Sequence, residues 1–176
     1  MPRTARLVLP GCPHPIVQRG NNRRQVFFVD EDRRYYLKRL RRQAERFGLA
    51  VQAYCLMTNH LHLIATPRAQ DSPAKGVGRT NLYSTRYVNG LHGRSGHLRQ
   101  DRFFSGSLDE EWFRNVLIYV ERKALRAKLV RKAKRGQAPF FGRGRGLPLA
   151  SCPGLDKVMS CPGHPGPRQA ESSRTC

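Results

Sequence analysis

His60 and His62 stand one residue apart in the apolar stretch YCLMTNHLHLIATP, Tyr54 to Pro67. In a β-strand, residues i and i+2 project from the same face, so the two imidazoles point together while Leu61 and Leu63 point into a core. Two imidazoles at that spacing can ligate one divalent ion, which needs at least one more donor from elsewhere. The ordinary alternative is a pair of surface histidines on a half-exposed strand, and HxH by itself does not decide between them.

The elements that must position this pair are legible from pattern. HPIVQRG (14–20) reads as a first strand, ended by the turn-forming RGNN. DEDRRYYLKRLRRQAERFG (30–48) reads as a helix that opens on Asp30, Glu31 and Asp32 and closes on Gly48. Tyr36, Leu37, Leu40, Ala44 and Phe47 recur at three- and four-residue steps and give it an apolar stripe. LAVQAYCLM (49–57) and HLHLIATP (60–67) read as a hairpin turning at Thr58-Asn59. A Ser/Pro/Gly segment leads to a helix over 79–91, followed by the loop HGRSGHLRQD (92–101) and a strand at 102–108. A last helix begins at Asp109, with Trp112, Val116 and Val120 as its apolar stripe and Phe113 and Leu117 beside it. The order β-α-β-β-α-β-α predicts an α+β fold, an antiparallel sheet with helices on one face.

Charge bounds the partners. The 176 residues carry 33 Lys and Arg against 12 acids, a net charge of +21. A field of that size attracts polyanions and favours nucleic acid, with strongly salt-dependent binding. The segment 131–176 is rich in Gly, Pro, Ser and Arg without an apolar period, which predicts a disordered tail after a domain at 1–130. With 9 basic and 2 acidic residues the tail holds +7, so the domain itself keeps +14. No apolar run is long enough to span a membrane, and the N-terminus does not read as a secretory signal. Five scattered cysteines without a CxxC pair suggest reduced thiols and a cytoplasmic setting.

QRGNN (18–22), AYCLMTNHLHL (53–63), GRSGHLRQDRF (93–103) and YVERKALRAKLV (119–130), in that order, resemble the IS200-like transposases. The nearest branch is the REP-associated tyrosine transposases, within the HUH endonucleases. The resemblance runs over about residues 5–130, and its most specific part is MTNHLHL followed about 60 residues later by YVER and LRA. It implies a ferredoxin-like, RRM-like sheet, His60 and His62 as ligands of Mg²⁺ or Mn²⁺, and Tyr119 as nucleophile. Such a tyrosine attacks a single-stranded DNA phosphodiester beside a hairpin, forms a 5′-phosphotyrosine link and leaves a 3′-OH that can later rejoin the strand. A phenol of pKa ~10 is a poor nucleophile at neutral pH, so a cation at the phosphate is the expected aid. The covalent link conserves the energy of the broken phosphodiester, and no nucleotide cofactor is required. From the helix alone, Tyr119 would equally be a tyrosine at the margin of a packed stripe.

Several positions depart from the family pattern. Where relatives read YVERNPLRA this chain has YVERKALRA, so Lys123 and Ala124 replace Asn and Pro. Position 123 lies one turn from Tyr119 on the same helix face, and there the family offers its third metal ligand. Protonated lysine has no lone pair to donate. At ~5 Å and an effective dielectric of ~20, a +1/+2 pair repels by about 6–7 kcal/mol before screening. Relatives also tend to read WQGRF where this chain has RQDRF, which substitutes Arg99 and Asp101 for Trp and Gly. After Val130 the family's YPWSS-like segment gives way to the Gly/Pro/Arg tail.

Among the basic and polar loop residues, Arg19, Asn21, Asn22, Arg79, Arg86, Arg94 and Arg102 are the candidates for contacts to a DNA hairpin. His92 and His97 are read as loop residues. Three readings follow: a metal-dependent tyrosine transposase or single-strand nuclease acting as monomer or homodimer, a hairpin-binding remnant disabled by Lys123, and an RNA binder using an open sheet face. The sheet lacks interleaved exposed aromatics, and the histidine pair would be unexplained, so the RNA reading is the weakest.

Overall fold

Alternation along His60–Pro67 sends Leu61, Leu63 and Ala65 to one side of the strand and His60, His62 and Ile64 to the other, and the architecture grows from that split. In a computed structural model, which describes residues 6–126 and 141–143, this strand is central. The elements are β1 (His14–Arg19), α1 (Asp30–Arg46), β2 (Leu49–Leu56), β3 (His60–Pro67), α2 (Ser72–Leu91), β4 (Phe104–Ser105), α3 (Glu110–Arg126) and β5 (Phe141–Arg143), with a 3-10 turn at Asn21–Arg23. All strand pairings are antiparallel, in the order β4-β1-β3-β2-β5. The first four strands have the order expected of a ferredoxin-like sheet.

The main core lies under α1 and α2. Tyr36 and Leu40 of α1 and Val77 and Val88 of α2 are buried with Ile16, Leu61 and Leu63 of the sheet. The predicted helix ends are built as expected. Asp32 Oδ2 accepts the Phe28 and Val29 N–H groups at 2.7 and 3.1 Å, which satisfies donors ahead of α1. Gly48, at φ +61, follows the helix end in the left-handed conformation that glycine adopts without strain. At α3, Asp109 Oδ1 caps the Trp112 N–H at 2.7 Å.

The expectation of helices on one face holds for α1 and α2, whereas α3 crosses to the other. The cause is in β2. A bulge between Val51 and Ala53 breaks the alternation, so that Val51 packs with the main core while Ala53 and Cys55 turn to the opposite face. Together with Ile64 they form a second, smaller apolar floor, onto which Val120, Phe113, Val116 and Leu117 of α3 pack. Trp112, expected in that stripe, is instead 53% exposed.

Two further boundaries differ from the sequence reading. The helix expected over 79–91 starts at Ser72, because Pro73 sits in the first turn, where it is tolerated. Gly76 lets α2 approach the sheet closely: a Cβ there would stand 3.2 Å from Leu49 Cδ2. The strand expected over 102–108 is only Phe104–Ser105. The tail at 131–176 lies outside the described residues except for Phe141–Arg143, which extend the sheet beside β2. Cys12 and Cys55 are buried. Among the described residues no helix is long and apolar enough to cross a membrane.

Candidate active site

The histidine pair lies on the α3 face of the sheet. Register places Arg19 of β1 directly across from His60, and flanks His62 with Val17 on one side and Cys55 on the other. The rings of His60 and His62 meet edge to face, with centroids 5.0 Å apart. Tyr119, 40% exposed on α3, presents its ring edge-to-face to His62 at 5.8 Å. One turn further on, the Lys123 ammonium lies 5.1 Å from the centre of the Tyr119 ring. Register in β3 and the second apolar floor beneath α3 thus bring His60, His62, Tyr119, Lys123 and Arg19 into one neighbourhood.

Hydrogen bonding fixes the His60 tautomer. Asn59 Nδ2 donates to the Arg23 carbonyl at 3.2 Å, which turns Asn59 Oδ1 toward His60 Nδ1, 2.6 Å away. Nδ1 therefore carries the proton and Nε2 presents a lone pair. Burial first, then the charges of Lys123 and Arg19, holds the His60 imidazole below the usual histidine value, which leaves it neutral at neutral pH. Beneath the site, burial pushes the Cys55 thiol up to about 11, partly offset by Lys123, so it remains protonated.

The family that the sequence resembles implies a divalent metal held by the histidine pair and a third donor. Two imidazoles are present, but among the described residues no group of three or more His, Cys, Asp or Glu side chains converges. The position where a third donor would come from α3 is a lysine. Two imidazoles beside an ammonium, with no third donor among the described residues, do not fit a divalent cation.

The QRGNN segment forms a tight loop against the hairpin tip. Gly20 N–H donates to the Asn59 carbonyl at 2.8 Å, and Asn21 N–H to the Leu98 carbonyl at 3.0 Å. An added Cβ at Gly20 would stand 2.0 Å from the Arg24 carbonyl oxygen. Asn22 and Arg23 both adopt left-handed backbone angles, at φ 50 and 58. Asn21 and Asn22 are exposed here. Asn21 also shares one cleft with Arg102, His97 and Arg6, and another with Arg94. Arg94 lies 5.3 Å over the Phe28 ring, and His92 leans on the same ring at 4.6 Å, tilted by 43°. Arg79 and Arg86 belong to α2, on the opposite face of the sheet from the histidines. Arg79 lies over Phe47 at 4.9 Å and Arg86 is exposed.

Asn59 and Gln18 were missed by the sequence reading. In sequence Asn59 is only a turn residue, yet its side chain orients His60. Gln18 donates to the Gln100 carbonyl at 2.7 Å and accepts from Asn81, which in turn accepts from the buried Tyr36 hydroxyl at 3.0 Å. That chain ties β1, α1, α2 and the 98–101 loop together. Its only advance signal is a polar residue at a position of β1 that alternation assigns to the core.

Comparison with known proteins bears on the family and the fold. The IS200-like transposase family model matches residues 10–123, well over half of the chain. Among solved structures, a REP-associated tyrosine transposase bound to a REP hairpin superposes with a TM-score of 0.58 at 15% identity, over 80% of this chain and 82% of that one. That likeness is one of fold. A Deinococcus radiodurans R1 protein assigned as a transposase gives a TM-score of 0.48 at 21% identity, over 70% of this chain and 98% of that one. No curated protein matches the sequence. The extent of the family match, with the histidine pair under a helix-borne tyrosine, places this chain in the IS200-like transposase family.

Proposed function

We propose that the protein cuts and rejoins single-stranded DNA next to hairpins through a 5′-phosphotyrosine intermediate on Tyr119. The observation that carries this reading is the Tyr119 ring edge-on to His62, 5.8 Å away, in a chain of this family. In the forward step the Tyr119 oxygen bonds to the scissile phosphorus and the bond from phosphorus to the 3′-oxygen breaks. The phenolic proton passes to solvent and the departing oxygen takes one up as a 3′-OH. Reversal restores the original strand, or joins a new one, without an external energy source. The helix carrying Tyr119 holds the nucleophile over the sheet, and the 40% exposure of the side chain leaves it open to an incoming strand.

Hairpin DNA is the proposed partner, in keeping with the charge of +21 and with the hairpin bound to the structurally similar transposase. Arg19, Asn21, Asn22, Arg94 and Arg102 form the proposed contact surface around the histidine end of the sheet. Arg79 and Arg86 would belong to a second surface on α2. Mg²⁺ or Mn²⁺ is the ion the family would use, with His60 and His62 as two of its donors, and the proposal is that Lys123 makes its binding weak. A cytoplasmic place follows from the DNA substrate, and the domain responsible is proposed to be 1–130. Lys123 favours a second reading, in which the protein holds hairpins and does not cut.

The test is strand scission of end-labelled hairpin oligonucleotides with single-stranded flanks. Cleavage that disappears in Tyr119→Phe supports the proposal. Hairpin binding without cleavage, with scission gained in Lys123→Asn, supports the remnant.

A further inference from the structure

The field around the histidine pair is that of an anion site. Arg19 faces His60 across the β1–β3 pairing, and Lys123 overhangs the same neighbourhood from α3. Both cations act on His60. Directly opposed residues of an antiparallel pair have Cβ atoms about 4.5–5.5 Å apart, so a guanidinium on β1 reaches the imidazole easily. Cys55 below is a neutral thiol. Two fixed positive charges therefore converge where the family pattern would lodge a dication, and no converging group of acidic side chains is present among the described residues.

We infer that this centre takes a DNA phosphodiester directly onto Lys123 and Arg19, the fixed side-chain charges standing in for the divalent cation. The inference rests on the proposed function for its choice of ligand, a single-stranded phosphodiester, and deepens it by naming what neutralises that ligand. A lysine serves as a point charge and an arginine as a planar fork for phosphate oxygens. The phosphodiester carries one negative charge, so a pair of monocations neutralises it as completely as a metal would, with no dication to repel. The site is consequently selective for anions in the absence of metal and resists dications in the absence of DNA.

The experiment uses the full chain with isotope-labelled histidine and follows the His60 and His62 ring signals by NMR, with no requirement for cleavage. A thymidine trinucleotide is titrated in excess EDTA, and Mn²⁺ alone is titrated separately for paramagnetic broadening. The expected result for the natural chain is saturable movement of both histidine signals by the trinucleotide in EDTA, with little broadening by Mn²⁺. In Lys123→Asn the order should reverse: trinucleotide affinity in EDTA falls about tenfold, the equivalent of ~1.4 kcal/mol, and Mn²⁺ broadens the same signals at lower concentration. Lys123→Gln should behave like Lys123→Asn toward the trinucleotide, since both remove the charge. Histidine signals that move only when Mn²⁺ accompanies the trinucleotide overturn the inference. So does Mn²⁺ broadening as strong in the natural chain as in Lys123→Asn. Failure of strand scission with these NMR results intact would instead count against the proposed function alone.

Discussion

Replacing Arg99 with methionine should make the domain more stable. Arg99 stands in the loop where relatives carry tryptophan, and it is buried in the main core with 7% of its surface exposed. Its Nη2 donates to Ser84 Oγ at 3.2 Å, while buried Nε and Nη1 have no hydrogen-bond acceptor. The guanidinium lies 5.5 Å from the Phe27 ring centre and 5.1 Å from that of Tyr36, and among the described residues no carboxylate forms an ion pair with it. Burial accordingly pushes the guanidinium below its ordinary value. Desolvating a cation costs several kcal/mol after relaxation, taken here as ~5. Two ring contacts at these distances return about 1 kcal/mol each, and the hydrogen bond from a charged donor about 2. The balance is unfavourable by about 1 kcal/mol. Methionine fills most of the same volume with flexible apolar atoms. Urea denaturation should therefore show Arg99→Met gaining about 1 kcal/mol, with a melting temperature higher by about 2–4 °C. A loss of 1 kcal/mol or more would refute the reasoning and show that the two rings and Ser84 outweigh desolvation.

Three other perturbations test the scaffold around the site. Asp101, where relatives have glycine, holds φ +42, so Asp101→Gly should stabilise by about 0.5 kcal/mol in thermal unfolding; a decrease would contradict the strain argument. Gly20→Ala drives a Cβ into the Arg24 carbonyl and should lower stability by about 2 kcal/mol or more and displace the Asn21–Asn22 turn, read by denaturation and by chemical-shift changes confined to that loop. Burial of His14 holds its imidazole below its ordinary 6.5, so the unfolded chain binds the extra proton. The stability due to neutral His14 is complete above about pH 6.5 and is lost as pH falls toward the lower folded value. His14→Gln should flatten the fall in stability between pH 6.5 and 5, and an unchanged slope would exclude His14 as a source.

Much of the domain was legible because its elements obey simple periods. The stripe of α1, the Asp-rich start and glycine end of that helix, and the hairpin at Thr58-Asn59 are local features, and the structure has them within a residue or two. The histidine pair and its face followed from alternation alone. The site's companions did not, because they depend on long-range placement. Nothing local to β2 announces the bulge at Val51–Ala53, yet that bulge creates the floor on which α3 rests and so sets Tyr119 over His62. Asn59 looks like a turn residue in sequence because the hydrogen bond that orients its amide goes to Arg23, 36 residues away. The early start of α2 is obscured by Gly76 and Gly78, and at Gly76 the low helix propensity is overridden by close packing against Leu49. Asp101 was flagged only as a substitution, and its positive φ needed coordinates.

Mass spectrometry of the protein after incubation with single-stranded hairpin DNA, nuclease trimming and trypsin digestion reads the chemistry at Tyr119 itself. The peptide Asn115–Arg122 contains Tyr119 as its only tyrosine. Our account predicts that this peptide carries a 5′-linked nucleotide mass on Tyr119, and that the modified peptide is missing in Tyr119→Phe. An unmodified Asn115–Arg122 peptide alongside efficient cleavage, or a nucleotide adduct on a different residue, would contradict it.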